Sequence, residues 1–542
     1  MKISFKSRIV SVLAVTAIAG TVMVGAPTAA QAAPQCATAN FVTQCAGVGA
    51  DGAPYTFIAA ANFNGTVFLY SHGVRPPLNI PATLAPVGPY TMTNAAEPGP
   101  LAASDLSVIN KLVAAGYGVA GSGFSRQGIN TAEALAANKE LIATFKTKFP
   151  TTKTVIAWGA SLGAMHSQML AEKNPELVDG VILACPAANP QDALMAYFGD
   201  ALWGFKALFD PTIKVGGYST DPVIRQQEQL ANVGKILTVL SKLSAGLVTG
   251  AWPDTASPAG KALQAAGIPS RSALLTVGLM AGVPTRSKHV DGTSGPAGSA
   301  ETYPLAIAPA VGVLENMGAT LNYGTLLIAD GELLTGGKVF DNTKTDYAAR
   351  VAADADIYSF ALSGNSAVAA IIGALAATPR ETADPAAVAK IPSVVGLSGK
   401  ISKPTIIFQS ESDEFVPASI VQWYIDTYAE QFAAEKMKAM TDAKKSRAYV
   451  APTNNLVVLW QKTAAKYSKF TAAGSPDLTA TQGAGTGHCA FTAAQWLAAA
   501  DLMTATLTNG KFPTGGKLTT TARKVGLSYD NKFRVPTFKA LG

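Results

Sequence analysis

Thr154-Val155-Ile156-Ala157-Trp158-Gly159-Ala160-Ser161-Leu162-Gly163 runs from an apolar strand through Gly-x-Ser-x-Gly into the start of a helix. That order fits a nucleophile elbow, a tight strand-to-helix turn that lifts a serine hydroxyl above a parallel sheet. The turn strains the serine backbone, and side chains at Gly159 or Gly163 would collide with the neighbouring strand and helix. No second Gly-x-Ser-x-Gly occurs in the chain.

Upstream of the elbow, short apolar strands alternate with helical stretches. Pro54 to Ala60 and Thr66 to Tyr70 read as strands, the second ending in Ser71-His72-Gly73. Ser104 to Ala115 has helical spacing, with Leu106, Ile109, Leu112 and Val113 on one face and Gly116 as stop. Tyr117 to Ala120 is a further strand, and a helix capped at Asn130 or Thr131 runs to Phe149. Beyond the elbow come a helix from Leu162 to about Lys173 and a strand from Val178 to Ala184. Such alternation implies crossover connections and a mostly parallel sheet, an α/β fold with helices on both faces.

The rhythm stops between Pro186 and Lys403. Apolar helical stretches at Val233 to Gly250, Ser272 to Ala281 and Ala367 to Ala377 are separated there by polar, Gly-rich loops such as Asp291 to Ser299 and Gly336 to Asp346. We read 187–402 as a helical lid inserted into the sheet domain. Alternation resumes with a strand at Lys403 to Gln409, a helix from about Ala418 to Met437, a strand at Leu456 to Trp460 and a closing helix at Phe491 to Leu507. The expected organisation is therefore 33–186 and 403–510 as the two parts of one core, with 511–542 as a basic, solvated extension.

The first 32 residues read as a secretion leader, with Lys2, Lys6 and Arg8, an apolar run from Ile9 to Ala26, and an Ala30-Gln31-Ala32 cleavage site. No later segment has the uninterrupted apolar length of a membrane span, so a secreted protein without stable membrane insertion is expected. Hydrophobic residues make up 48% and charged residues 14%, which excludes global disorder. The formal net charge of +7 sits at the ends: the leader's three cations and a tail that is +6 leave 33–510 at −2. Nucleic acid is therefore not an expected partner of the main body.

A serine hydroxyl needs a base within hydrogen-bond reach and an acid to orient that base. Four histidines compete. His72 follows a strand, and His289 sits in a basic loop, Arg286-Ser287-Lys288-His289. His166 is five residues past Ser161, about 500° around a helix, and so points elsewhere. His488 lies downstream of the last strand in Gly485-Thr486-Gly487-His488-Cys489-Ala490-Phe491, where the glycines let the loop fold over Ser161. His488 is the expected base. For the acid, Ser410-Glu411-Ser412-Asp413-Glu414-Phe415-Val416-Pro417 follows the next-to-last strand. Asp413 is preferred, because Asp-x-x-Val-Pro puts it in the strand-end turn; Glu411 and Glu414 are the alternatives.

The order Ser161, Asp413, His488 is that of the α/β-hydrolases. Gly-Ala-Ser-Leu-Gly, Asp-x-x-Val-Pro and Gly-His-Cys-Ala-Phe, over about Pro54 to Pro186 and Ser402 to Leu507, resemble that superfamily. The chain departs from tannase- and feruloyl-esterase-like members, whose cysteine after the catalytic histidine is bonded to one just before the serine; here Ala160 precedes Ser161. The resemblance implies an oxyanion hole from the Leu162 N–H and an N–H of His72-Gly73-Val74-Arg75, with Val74 preferred over Gly73 and His72 orienting the loop.

Four cysteines in an exported chain suggest two disulfides, for which sequence allows three pairings. A local Cys36–Cys45 bond is simplest and leaves Cys185 with Cys489, which would pin the base loop beside the elbow strand; two buried free thiols are the alternative. No Cys-x-x-Cys or His-x-x-x-His spacing suggests a metal site, and the expected chemistry calls for no cofactor. These features predict a secreted serine hydrolase that cleaves small-molecule or polymeric carboxylic esters with a lipophilic part, for which the apolar Trp203, Phe205, Phe209, Trp252 and Met280 of the lid are suited. A serine peptidase or amidase on the same fold is the alternative. It would require acidic residues to hold a free amine, for which Glu301, Glu315, Asp330 and Glu332 are available.

Overall fold

A computed structural model describes residues 33–76, 99–187, 193–444 and 448–536; the expected leader lies outside them. The chain opens with β1 (Gln35–Ala39), β2 (Val42–Val48), β3 (Pro54–Ala60) and β4 (Thr66–Ser71). Then come α1 (Leu106–Ala114), β5 (Gly118–Ser122), α2 (Thr131–Lys148), β6 (Thr154–Ala160), α3 (Leu162–Lys173) and β7 (Gly180–Ala184). Ten helices follow: α4 (Ala193–Leu208), α5 (Pro222–Gly246), α6 (Pro258–Ala265), α7 (Ser270–Ala281), α8 (Thr302–Ala306), α9 (Ala308–Thr335), α10 (Tyr347–Ala355), α11 (Asn365–Ala376), α12 (Pro385–Val388) and α13 (Ile391–Val395). The chain closes with β8 (Thr405–Ser410), α14 (Ala418–Lys444), β9 (Leu456–Gln461), α15 (Ala493–Asn509) and α16 (Gly515–Lys524).

The nine strands form one sheet in the order β1-β2-β3-β5-β4-β6-β7-β8-β9. Pairing is antiparallel from β1 to β5 and parallel from β5 to β9. The parallel strands are buried on both faces, which is why they read as unbroken apolar runs. Successive residues still face opposite ways. Ala157, Leu183 and Ile407 pack against Leu141 and Phe145 of α2, Met169 of α3 and Tyr424 of α14. Ile156, Trp158, Ile182 and Phe408 pack against Leu112 of α1, Trp496 and Met503 of α15 and Leu518 of α16. The helices between β7 and β8 bury a separate apolar cluster, in which Trp203, Phe205, Phe209, Trp252 and Met280 all sit.

Local chemistry sets the helix ends. Asp105 caps α1 by accepting from the Ser107 and Val108 N–H groups at 2.7 and 3.1 Å. Thr492 and Gln495 form a reciprocal capping box at α15. The segment read as a solvated tail is instead docked on the sheet. Leu518, Ala522 and Leu527 are buried, Ser528 exchanges backbone hydrogen bonds with Trp460 of β9, and Phe533 packs on the Trp460 ring. Leu518 and Ala522 on one face of α16, and Leu527 just beyond its end, seat it.

Candidate active site

Ser161 and Asp413 lie just past the carboxyl ends of the parallel strands β6 and β8. β6 ends at Ala160, and Ser161 turns into α3 with φ 57° and ψ −125°. Such a backbone is disfavoured for a residue with a Cβ and persists only when its surroundings impose it. Packing imposes it here. A Cβ on Gly163 would strike the carbonyl oxygens of Ser71 and His72, and one on Gly159 would lie 2.5 Å from the Gly163 oxygen. The Ser161 N–H donates to the Ala184 carbonyl at 2.9 Å, locking the elbow to β7.

Asp413 follows β8 and His488 precedes α15, and the main chain brings them together. The Ser412 N–H donates to the Gly485 carbonyl at 2.9 Å, and the Gly487 N–H donates to the Ser412 carbonyl at 3.1 Å. Asp413 is fully buried. Its Oδ1 accepts from the Phe415 and Val416 N–H groups at 2.8 and 2.9 Å. His488 Nδ1 lies 2.9 Å from Oδ2 and 3.0 Å from Oδ1. The imidazole packs on the Phe415 ring, centroids 4.8 Å apart. The competing carboxylates face elsewhere: Glu411 accepts from the Thr463 N–H and hydroxyl at 2.7 and 2.8 Å, and Glu414 pairs with Lys288 at 2.9 Å.

Ser161 opens onto a small cavity whose wall includes Phe415, the residue beneath His488. Among the described residues no hydrogen bond joins Ser161 Oγ to His488; Nε2 has Cys489 Sγ at 3.6 Å. Such contacts are often long in unliganded hydrolases and tighten with substrate. Leu162 and Val74 line the same cavity, and among the described residues neither N–H has an acceptor. Two unsatisfied N–H groups beside a serine hydroxyl suit a developing oxyanion.

Cys185, just past β7, is bonded to Cys489, and Cys36 to Cys45 across the β1–β2 hairpin. The first bond ties the residue after His488 to the strand beside the elbow.

His72 is buried, with Nδ1 at 2.7 Å from the Gly73 carbonyl and Nε2 at 3.3 Å from that of Gly123. Burial, aided by the Arg75 cation, lowers its pKa to about 3 and keeps the ring neutral. His166 lies beneath the elbow against Phe124, with no hydrogen-bond partner for either nitrogen among the described residues. Burial, with a contribution from His72, lowers its pKa to about 3 as well. His289 pairs with Glu315 at 2.6 Å in the wall of a separate cavity of about 620 Å³.

Sequence reading missed the residues that fasten the base loop. Asp291 accepts from the Thr293 and Ser294 N–H groups and hydroxyls, and from the Tyr467 and Ser468 N–H groups across the molecule. Burial raises its pKa, but these donors outweigh it and hold the carboxyl well below the usual carboxylate range. Asp-Gly-Thr-Ser carries the signature of the local half, an Asx turn; nothing near 467 announces the other half. Asp330 was open to an amine-binding role. It instead pairs with Arg126 and accepts from the Ile129 N–H at 2.6 Å, fixing α9 to the loop after β5.

The sequence matches the hydrolase family described as serine aminopeptidase, S33, over residues 108–258. No curated protein matches it. Among solved structures it is similar to feruloyl esterase B from Aspergillus oryzae (12% identity, TM-score 0.35, 90% of this chain and 86% of that one). It is also similar to Candida antarctica lipase A (12%, 0.35, 89% and 83%) and to tannin acyl hydrolase from Aspergillus niger (11%, 0.34, 90% and 83%). Likeness at that level says nothing of substrate. The parallel run β5-β4-β6-β7-β8-β9 with helices on both faces, the elbow at Ser161 and the S33 match over 108–258 together give this chain the α/β-hydrolase fold.

Proposed function

We propose that this protein is a secreted serine esterase working through Ser161, His488 and Asp413. The observation that carries the reading is the buried carboxylate–imidazole couple at 2.9 Å behind Phe415, whose ring also walls the Ser161 cavity. Ser161 Oγ attacks the ester carbonyl carbon while His488 Nε2 takes the hydroxyl proton. The oxyanion is held by the N–H groups of Leu162 and Val74. Collapse expels the alkoxide, which leaves with the proton from His488. Water, deprotonated by the same nitrogen, then attacks the acyl-enzyme and frees the acid and the serine. Asp413 holds His488 with its proton on Nδ1, so that Nε2 is the acceptor.

Peptidase or amidase action is the second reading, favoured by the S33 match. An aminopeptidase must hold a substrate ammonium beside the nucleophile. Among the described residues no carboxylate lines the Ser161 cavity, and Glu315, Asp330 and Glu332 are engaged by His289, by Arg126 and by the Gly217 and Tyr218 N–H groups. The ester reading therefore ranks first. Two disulfides support an oxidising compartment. Among the described residues no helix is long and apolar enough to cross a membrane.

A fluorophosphonate should label the wild type and leave Ser161→Ala unlabelled; equal labelling of both removes Ser161 from the mechanism. Side-by-side turnover of p-nitrophenyl esters and aminoacyl-p-nitroanilides ranks the two readings, and anilide cleavage with negligible ester cleavage reverses them.

A further inference from the structure

The cavity in front of Ser161 has a volume of about 40 Å³. One water occupies about 10–15 Å³ on this measure, so the space admits roughly three or four atoms. Among the described residues its lining is apolar except for Ser161 itself, and none of them is ionisable. Met165 of α3, Leu194 and Met195 of α4, Leu327 of α9 and Val395 of α13 are part of its wall.

This space lies on the acyl side of the reaction. The two N–H groups expected to hold the carbonyl oxygen, Leu162 and Val74, are part of its wall, whereas His488 is not. The alcohol must depart towards His488, which protonates it. His488 is 20% exposed, so the alcohol side opens to solvent.

Among the described residues the Ser161 cavity and the 620 Å³ cavity share no lining residue, and the 413–415 turn stands between them, with Glu414 lining one and Phe415 the other. The partition is built of fixed parts. Phe415 is gripped edge-on by Tyr323 at 4.6 Å and by Phe198 at 5.5 Å. The Glu414 carbonyl accepts hydrogen bonds from Tyr197 at 2.7 Å and Thr320 at 3.0 Å.

We propose that the enzyme selects neutral, short acyl groups of about two to four carbons, attached to alcohols whose size the site leaves free. This rests on the reading of Ser161 as nucleophile and narrows its substrate class.

The test is kcat/KM of the full chain on p-nitrophenyl acetate, butyrate, hexanoate, octanoate and dodecanoate, the alcohol held constant. The expected result is a maximum at acetate or butyrate and a fall of at least 100-fold by octanoate. Octanoate or dodecanoate within tenfold of the best substrate overturns the proposal. Leu327→Ala enlarges the wall, and its optimum should move up by two or more carbons; an active variant with an unmoved optimum counts against the assigned wall. A short-alkyl fluorophosphonate separates the two levels of inference. Ser161 labelled with a flat chain-length profile removes the size limit alone, and Ser161 unlabelled removes the nucleophile and the limit together.

Discussion

Asp413→Asn tests the site at its most constrained point. Asp413 Oδ1 accepts two backbone N–H groups, from Phe415 and Val416. In the variant the amide oxygen must take that position, since an NH₂ there would face two donors. The amide nitrogen then lies where Oδ2 now sits, 2.9 Å from His488 Nδ1. An N–H donor at that distance demands a lone pair on Nδ1, which moves the ring proton to Nε2. Nε2 then cannot accept the Ser161 proton. A wrong tautomer in a serine triad costs about 10⁴-fold in rate, or about 5.4 kcal/mol of transition-state stabilisation. The two anchoring hydrogen bonds survive, so the fold should change by only about 1 kcal/mol. The assay is kcat/KM on p-nitrophenyl acetate, with a denaturant melt of the same preparation. A well-folded variant within tenfold of wild type would refute the assignment of Asp413. Glu411 and Glu414 would be poor substitutes, being turned towards Thr463 and Lys288.

Further outcomes follow from buried charge. His72 and His166 have folded pKa values near 3, far below 6.5. The unfolded chain therefore binds their protons first, and stability should fall as pH drops from about 6.5 towards 3. Removing one of them in His166→Leu should flatten the unfolding free energy by about 1.4 kcal/mol per pH unit between pH 6 and 4, read by urea melts; an unchanged slope would mean His166 is not held neutral. Asp291→Ala strips a buried carboxylate from six donors. It should cost about 3 kcal/mol of stability and more than tenfold in kcat, because the segment leading to His488 loses its fastening; full activity would show that the base loop stands without it.

Much of this was readable from the chain. Pro54–Ala60 is a strand with the expected bounds, the elbow and the acid turn each sit at a strand end, and the base loop lies just before the closing helix. These were legible because a buried parallel strand must be apolar throughout and its exit must be a turn. β1 and β2 were not, because Gln35–Ala39 is exposed along its whole length and carries no alternation. α9, the longest helix among the described residues, was not picked out in the sequence. Its glycines are weak helix formers, yet a Cβ at Gly324 would press within 2.9 Å of the Phe198 side chain. The helix is apolar nearly all round because it is the axis on which α4, α5 and α7 pack. Which of three carboxylates meets His488 was a matter of one peptide's direction, fixed by the Ser412–Gly485 and Ser412–Gly487 hydrogen bonds that no spacing rule encodes.

The two disulfides span very different lengths of chain, nine residues and 304. A ribosome delivers Cys45 moments after Cys36, but Cys489 only when synthesis is nearly over. Wherever oxidation keeps pace with chain emergence, the early hairpin retires both rival thiols while Cys185 is still waiting. The right partnership is then left by elimination, decided by birth order and needing no reshuffling.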